Sequence, residues 1–437
     1  MSEAIASKEE RLAAYNANVA AAEKDPRLSP ETGKPLDKVT MFRFGAGFIV
    51  FGLLWMSGLG IVSAVLLPMH YKTIPGVNPD ALVGVVNAFT AVASLVANLM
   101  FGNFSDRSRS RFGRRTPWIL FGAVLGGVTL FLTGTTHNAV LLTIFYCACM
   151  FGLNCMIAPM VAILSDRVPS KIRGTMSAFY GAGSTIGAPI GTMLGALFIE
   201  NLIPGFAVAG VLMFLGGVVA VIIIPKEQSA DFLPKDEGSA KDILSSFRPP
   251  KFSTAHDFYK AFAGRFCMLM AYQMINVYQL YIIQNYIGQS VKESAVTVSV
   301  VSMIMMVMSL VGSFISGPVS DLIGRRKVPV VVASVLFAVG IAMPWIFKST
   351  MGMYLFAGIA GLGYAVDQAL LVDVLPNKEE AGKDLGILNM ATTLGQMCGP
   401  VVMSAIVVNL GYNFAFPTSI VLAIIGCFFI MAIKKVK

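Results

Sequence analysis

The sequence reads Gly-Asn-Phe-Ser-Asp-Arg at 102–107 and Gly-Arg-Arg at 113–115, directly after a long apolar run. It reads Gly-Pro-Val-Ser-Asp at 317–321 and Gly-Arg-Arg at 324–326, again after an apolar run. A short basic loop next to a membrane would follow from general charge rules. The recurrence of Gly, Asp, Gly and Arg in the same order does not follow from those charge rules. The repeat therefore predicts a chain built from two duplicated halves.

The apolar runs around these segments predict a membrane protein. Only 13% of the residues are charged and 56% are hydrophobic, with a mean hydropathy of +0.72. Soluble domains carry about 25% charged residues, whereas a helix of about 20 apolar residues crosses a bilayer. The predicted spans are twelve, at 44–69, 81–102, 117–135, 139–164, 174–200, 204–225, 258–287, 293–317, 329–347, 352–375, 386–409 and 412–433.

The distribution of basic residues predicts the orientation. If both termini are cytoplasmic, 29 of the 33 Lys and Arg fall in cytoplasmic segments, and the outer loops hold only Lys72, Lys292 and Lys348. This asymmetry is the pattern of the positive-inside rule. It also explains the net charge of +9 without a nucleic-acid partner. We expect a multi-pass protein of the inner or plasma membrane.

The predicted fold is an all-α membrane protein of twelve transmembrane helices in two pseudo-symmetric six-helix bundles. The sequence divides into a cytoplasmic N-terminal tail (1–43), a first bundle (44–225), a cytoplasmic linker (226–257) and a second bundle with a short cytoplasmic tail (258–437). The tail has no apolar segment typical of a cleavable signal peptide. All six cysteines lie in apolar runs, which predicts packing roles and no metal site.

The duplicated loop resembles the signature loop of the major facilitator superfamily. The first copy continues from Arg107 through Arg109, Arg111 and Trp118, and this longer form resembles the sucrose:proton symporters and the related glycoside–pentoside–hexuronide:cation symporters. The resemblance implies the major facilitator fold and transport by alternating access. Without an ATP-binding motif, the energy is expected to come from an ion gradient, with no cofactor.

The charged loops are predicted to form a conformational gate. A carboxylate at a helix end can accept charge-assisted hydrogen bonds from guanidinium groups, and the resemblance implies that these bonds latch the cytoplasmic side. Glycines would allow tight turns and close helix approach. The predicted gate residues are Gly102, Asp106, Arg107, Gly113, Arg114, Arg115, Asp166, Asp321, Gly324, Arg325, Arg326 and Asp373.

Coupling is predicted to involve the two charged residues that lie inside spans, Asp367 and Arg265. A charge inside a span is costly unless it is paired or hydrated, so each is a functional candidate. The alternatives are a structural salt bridge or an Arg265 that reaches the inner surface. The sequence departs from the sucrose:proton symporters at Met150, where those proteins carry an aspartate for proton coupling. Asp367 is therefore the predicted H⁺ carrier.

Polar side chains on one face of the seventh span predict the substrate site. The spacing of Arg265, Tyr272, Asn276 and Gln279 places them on one side of a continuous helix. Amides both donate and accept hydrogen bonds, which suits sugar hydroxyls, although interhelical hydrogen bonding is an alternative role. With cavity-lining positions implied by the resemblance, the predicted substrate residues are Trp55, Asn154, Tyr272, Gln273, Asn276, Gln279, Tyr364 and Gln368. Tyr278, Asn87 and Asn389 are weaker candidates.

The predicted function is secondary active transport, with no enzymatic activity. The leading hypothesis is H⁺-coupled uptake of a small glycoside such as a disaccharide by a monomer. The alternatives are efflux of an amphipathic drug, sterol or bile acid, and a sensor of transporter shape that moves no solute. The segment Gly187-Ala-Pro189-Ile-Gly191 matches the fifth-span motif of efflux proteins poorly, which weighs against efflux.

Overall fold

The structure is a computed structural model, and it describes residues 7–233, 256–323, 327–366 and 381–433. Fourteen helices carry these residues. They are α1 Lys8–Lys24, α2 Lys38–Tyr71, α3 Pro79–Arg107, α4 Thr116–Thr135, α5 Ala139–Arg167, α6 Ser170–Leu197, α7 Leu202–Ile223, α8 His256–Val277, α9 Gln279–Ile287, α10 Val291–Ile323, α11 Lys327–Phe347, α12 Thr350–Val366, α13 Ala381–Leu410 and α14 Tyr412–Met431.

Helices lie at all twelve predicted spans, and the all-α fold class is confirmed. Within the described ranges, eight helices are long and apolar enough to cross a membrane, and the bent pair α8–α9 would make a ninth. Two shorter apolar helical stretches, Ser334–Phe347 and Thr350–Gly363, lie at the ninth and tenth predicted spans. The tail is also helical over Lys8–Lys24, where Ser7 and Glu10 form a reciprocal capping box.

The described chain forms two compact units. The first contains residues 1–62, 92–194 and 201–237, and the second contains 63–91, 195–200 and 238–437. The second unit therefore includes a helical hairpin, 63–91, that comes from the first half of the sequence. The bundle boundaries predicted from the sequence describe duplicated halves, whereas these two units are defined by compact packing. The units therefore do not test the predicted boundaries, which remain a proposal.

Inside the first unit, α2 and α6 approach closely because glycines face the partner backbone. A Cβ on Gly187 would lie 2.5 Å from the carbonyl oxygen of Leu53, and one on Gly191 would overlap that of Ser57. The Ser57 hydroxyl uses the same gap to donate to the Gly187 carbonyl at 3.0 Å. Small residues at such spacing let membrane helices pack backbone to backbone. The Gly187-x-x-x-Gly191 pattern therefore has a packing role here.

Corresponding helices of the two halves carry the same irregularity. A π-turn occupies Val62–Leu66 within α2, and another occupies Ile282–Ile287 within α9. Before the second π-turn the seventh span is broken, because Tyr278 leaves helical geometry at φ −91°, ψ 6° and the axes of α8 and α9 differ by 52°. Breaks of this kind in membrane helices free backbone groups and accompany binding sites in transporters.

Candidate transport site

Two carboxylates and two arginines meet in the first unit at the loop between α3 and α4. The Arg115 guanidinium, only 3% exposed, donates to Asp166 from Nε at 2.8 Å and from Nη2 at 2.6 Å. It also pairs with Asp106 and donates to the Ser105 hydroxyl at 2.5 Å. Arg114 donates to the same Asp166 oxygen at 2.8 Å. We call Ser105, Asp106, Arg114, Arg115 and Asp166 the Asp166 cluster.

Glu227, which follows α7, binds the backbone at the start of α4, next to the Asp166 cluster. Its carboxylate accepts from the backbone N–H groups of Arg114 (2.8 Å), Arg115 (3.0 Å) and Thr116 (3.0 Å), and from the Thr116 hydroxyl at 3.0 Å. These N–H groups at the helix start have no intrahelical partners, and the helix dipole favours an anion there. Gly113 makes this contact possible, because its φ is +99° and a Cβ would overlap the Glu227 carboxylate.

The N-terminal tail is bound to the same region. Glu31 accepts from the Arg167 Nε at 2.6 Å and from the Gln228 backbone N–H at 2.9 Å. The Ser29 hydroxyl is buried and donates to the Arg167 carbonyl at 2.7 Å. Farther out, Arg11 pairs with Asp231 at 3.1 Å. The tail, the end of α5 and the segment after α7 are therefore joined within one unit.

The remaining predicted gate residues differ in what the structure shows. Gly102 lies in α3, and a Cβ there would meet nothing within 4 Å, so no close approach depends on it in this conformation. Arg107 ends α3 and is half-buried. Asp321 lies in α10, but its side chain is outside the described part of the structure. Gly324, Arg325, Arg326 and Asp373 are also outside the described residues.

The predicted polar face of the seventh span forms a connected group in the second unit. The Tyr272 hydroxyl donates to the Asn276 amide oxygen at 3.4 Å, and the Asn276 amide nitrogen donates to Gln273 at 3.4 Å. All three side chains are half-buried. Gln279 follows the break at Tyr278, so it belongs to α9 and does not continue the face of α8.

Two of the predicted substrate residues have polar atoms without hydrogen bonds. The Gln279 side chain is 7% exposed, and its Nε2 makes no hydrogen bond within the described residues. In the first unit, the indole Nε1 of Trp55 is likewise buried without a hydrogen bond of good geometry, although Tyr180 lies near it. Buried donors are nearly always paired, with protein or with water. The Gln279 Nε2 therefore lacks a partner among the described residues, which water or a ligand could supply.

The other predicted substrate and coupling residues are only partly defined. Asn154 donates to its own helix at Met150 and accepts from Asn98 of α3 at 3.2 Å. Arg265 is buried, and its Nε donates to Thr392 of α13 at 2.6 Å. Asp367 and Gln368 lie outside the described residues, as does the side chain of Tyr364.

A second cluster surrounds Asp80 at the opposite end of α3 from Asp106, and all of it lies within the second unit. The Asp80 carboxylate accepts from the Tyr412 hydroxyl at 2.6 Å, and its backbone carbonyl accepts from Tyr278 at 2.6 Å and Ser404 at 2.9 Å. Nearby, Lys72 donates to Gln284 at 2.5 Å. Burial lowers the pKa of Lys72, and the negative charge of Asp80 offsets part of this decrease. We call Asp80, Tyr278, Ser404 and Tyr412 the Asp80 cluster.

Several of these residues were not found from the sequence. Asn78-Pro79-Asp80 has the Asn, Pro and acidic residue of a helix start, and this signal would have drawn attention to Asp80. Glu227 and Glu31 carry no such local signal, because their partners Arg115 and Arg167 lie more than one hundred residues away. Asn98 is one amide on an otherwise apolar stretch of α3.

Comparisons with known proteins agree with this architecture. The family model for the Major Facilitator Superfamily matches residues 44–312 and 261–437. The multidrug resistance protein MdtG of Yersinia enterocolitica is 22% identical over 358 residues, covering 79% of this chain and 81% of that protein. Solved structures of the nucleoside transporter NupG and a D-xylose-proton symporter cover 90% of this chain and 100% and 98% of theirs, with TM-scores of 0.69 and 0.66 and identities of 13% and 12%. The chain is a transporter, not an enzyme, and it belongs to the Major Facilitator Superfamily.

Proposed function

We propose that this protein carries a small neutral solute rich in hydroxyl groups, such as a disaccharide or another glycoside, across the cell membrane. The support is the chemistry of the second unit. Tyr272, Gln273, Asn276 and Gln279 offer a hydroxyl and three amides, all uncharged and able both to donate and to accept. Trp55, Asn154, Tyr364 and Gln368 complete the proposed substrate residues.

The observation that carries this proposal is the free donor of Gln279. A buried amide N–H without a partner costs free energy in the absence of a ligand. If Gln279 had no role in binding, an apolar residue of similar size at this position would leave the protein equally stable. The cost is recovered when a solute accepts the hydrogen bond, so Gln279 favours the loaded state.

The test replaces Gln279 with Leu and measures affinity and stability together. We expect Gln279→Leu to weaken solute binding by about 0.5–1.5 kcal/mol, the net value of one hydrogen bond, and to leave the melting temperature equal or higher. Asn409→Ala is a matched control, because that amide is exposed and, among the described residues, bonds only to its own helix at Ala405. Purified protein would be screened against disaccharides, monosaccharides and amphipathic compounds. Unchanged affinity with a lower melting temperature would assign Gln279 to packing.

We propose that the two clusters act as gates in alternating access. The Asp166 cluster would latch the side that carries the excess of Lys and Arg, which the positive-inside rule makes cytoplasmic, with both termini on that side. The Asp80 cluster would hold the opposite side. The second copy of the loop, from Asp321 to Arg326 together with Asp373, would serve the second half as the Asp166 cluster serves the first.

We propose H⁺ as the coupling ion, with Asp367 as its carrier and the buried Arg265 as its electrostatic partner. A carboxylate that alternates between a buried and a wet environment changes its proton affinity, which is the property that coupling needs. In vesicles, Asp367→Asn would abolish accumulation driven by a pH gradient and retain counterflow. Accumulation by this variant would mean that another group carries the ion, or that transport is not coupled to H⁺.

A second candidate function is export of an amphipathic compound. The observation that favours it is the similarity, over most of both chains, to a multidrug resistance protein. The same screen separates the two functions. Stabilisation by amphipathic compounds alone, with Gln279→Leu binding them as well as the wild type does, would favour export.

A further inference from the structure

A cavity of about 170 Å³ opens in the first unit among the ends of α2, α4, α5 and α7. Its walls include Ile119, Met160 and Ile163, and its rim carries the cationic side chains of Arg43 and Lys226. Both cations are exposed. The cavity is thus apolar inside and basic at its mouth.

The cavity is lined by three cations, Arg43, Arg167 and Lys226, and by one carboxylate, Glu227, so the acid offsets only part of the basic charge. Glu227 lines the cavity, but four donors from Arg114, Arg115 and Thr116 already bind its carboxylate. Arg167 also lines it and is paired with Glu31. By contrast, the Lys226 ammonium forms no hydrogen bond or ion pair within the described ranges, which leaves it available to an outside anion.

Arg43 adds a second cation at the mouth, and Arg111 lies beside a lining residue. Arg43 donates through Nε and Nη2 to the carbonyls that end α7, at 2.7 Å for Ile223, and its Nη1 has no partner in the described part of the chain. The Arg111 guanidinium lies 5.0 Å from the ring centre of Phe112, which lines the cavity. A phosphate at the mouth would therefore meet Arg43 and Lys226, the two exposed cations that line the cavity.

The surface beside the mouth is apolar in the way a lipid chain requires. Phe42, which precedes Arg43 in the sequence, is 75% exposed, and Ile222, near the end of α7, is 68% exposed. In a chain that crosses a bilayer, such side chains face acyl chains. Basic pockets between helix ends on the cytoplasmic side are suited to anionic lipid headgroups.

We propose that this cavity binds the phosphate headgroup of an anionic phospholipid, with the acyl chains running along Phe42 and Ile222. Arg43 and Lys226 bind the phosphate, and the apolar walls accommodate the glycerol backbone. Because Glu227 lines this cavity and also accepts from the backbone N–H groups of Arg114 and Arg115, the bound lipid stabilises the first unit beside the Asp166 cluster.

The experiment titrates purified full-length protein with phosphatidylglycerol and with phosphatidylcholine of the same acyl chains, and follows the melting temperature. We expect saturable stabilisation by phosphatidylglycerol alone. Each cation near a membrane surface contributes about a fivefold change in affinity, so Lys226→Gln should bind about fivefold more weakly and Lys226→Arg should bind as the wild type does. The double variant Arg43→Gln, Lys226→Gln should lose most of the stabilisation by phosphatidylglycerol.

Controls separate this site from general charge attraction and from a free anion. The double variant Lys24→Gln, Lys34→Gln removes the same number of positive charges from the exposed tail and should leave the titration unchanged. Equal stabilisation by phosphatidylcholine, equal loss in the tail control, or full stabilisation by inorganic phosphate would each overturn the proposal. Lys226→Gln keeps the test decisive if loss of the Arg43 hydrogen bonds prevents folding.

Discussion

The Asp166 cluster and the Asp80 cluster both hold a carboxylate at a helix end, but with different chemistry. Asp166 is held by two guanidinium groups, one of them almost fully buried. The Asp80 carboxylate accepts from the neutral hydroxyl of Tyr412, and the Asp80 backbone carbonyl accepts from Tyr278 and Ser404. A broken buried ion pair leaves an uncompensated charge, whereas a hydroxyl can exchange its partner for water. We therefore expect the Asp166 cluster to resist opening more strongly.

The largest effect should come from the centre of the Asp166 cluster. Arg115→Ala removes the bonds from Arg115 to Asp166, Asp106 and Ser105 at once and leaves Asp166 its bond from Arg114. Loss of one partner of a buried pair costs about 3–5 kcal/mol. The variant should melt at a clearly lower temperature and transport slowly. Arg115→Lys should recover only part of the loss, because an ammonium cannot donate as a planar fork.

Arg27→Ala provides the matched control for that measurement. Arg27 pairs with Asp25 at 2.9 Å in the tail, and its side chain is 69% exposed. Solvent screens such a pair, so we expect no measurable change in melting temperature. If Arg115→Ala behaved like Arg27→Ala, the Asp166 cluster would contribute nothing to the latch.

This contrast also shows what the sequence could predict. The apolar runs predicted the helices. The loop motif contained Asp106, Arg114 and Arg115, Asp166 was predicted at the end of the fourth span, and the structure brings these four residues together. These residues carry local signals, since they lie at span ends in a repeated pattern. Their roles in transport remain predictions.

The rest depends on long-range packing that no local pattern encodes. Glu227 reaches the start of α4 only because α7 ends beside it, and Tyr412 reaches Asp80 across 332 positions of sequence. Helical spacing predicted Gln279 on the face of Asn276, but the backbone breaks at Tyr278 and turns by 52°. Neither glycine nor proline marks this break, so no local pattern predicts it.

A middle-sized effect should come from the close approach of α3 and α13 beside Asp80. A Cβ on Gly84 would lie 2.6 Å from the Ser404 Oγ and overlap its Cβ. Gly84→Ala should therefore destabilise this packing by about 1–3 kcal/mol. Hydrogen exchange of the backbone around 278–285 and 404–412 should become faster as this end of the unit opens.

Gly102→Ala is the matched control on the same helix, because a Cβ there meets nothing within 4 Å. It should change exchange and melting temperature little. A large effect from Gly102→Ala with none from Gly84→Ala would mean that the close contact at Gly84 is not a constraint, and that Gly102 is needed in another conformation of the transport cycle.

The smallest effect should come from one hydroxyl of the Asp80 cluster. Tyr412→Phe removes the hydrogen bond to the Asp80 carboxylate and the acceptor of the Asn285 amide, and leaves the bonds from Tyr278 and Ser404 in place. Water can replace the lost donor, so the packed state should lose only about 1 kcal/mol. Exchange of the amides near 278–285 should then be about fivefold faster, since local opening controls that rate. An effect as large as that of Arg115→Ala would show that neutral hydroxyls hold this end as firmly as guanidinium groups hold the other, and the contrast between the clusters would fail.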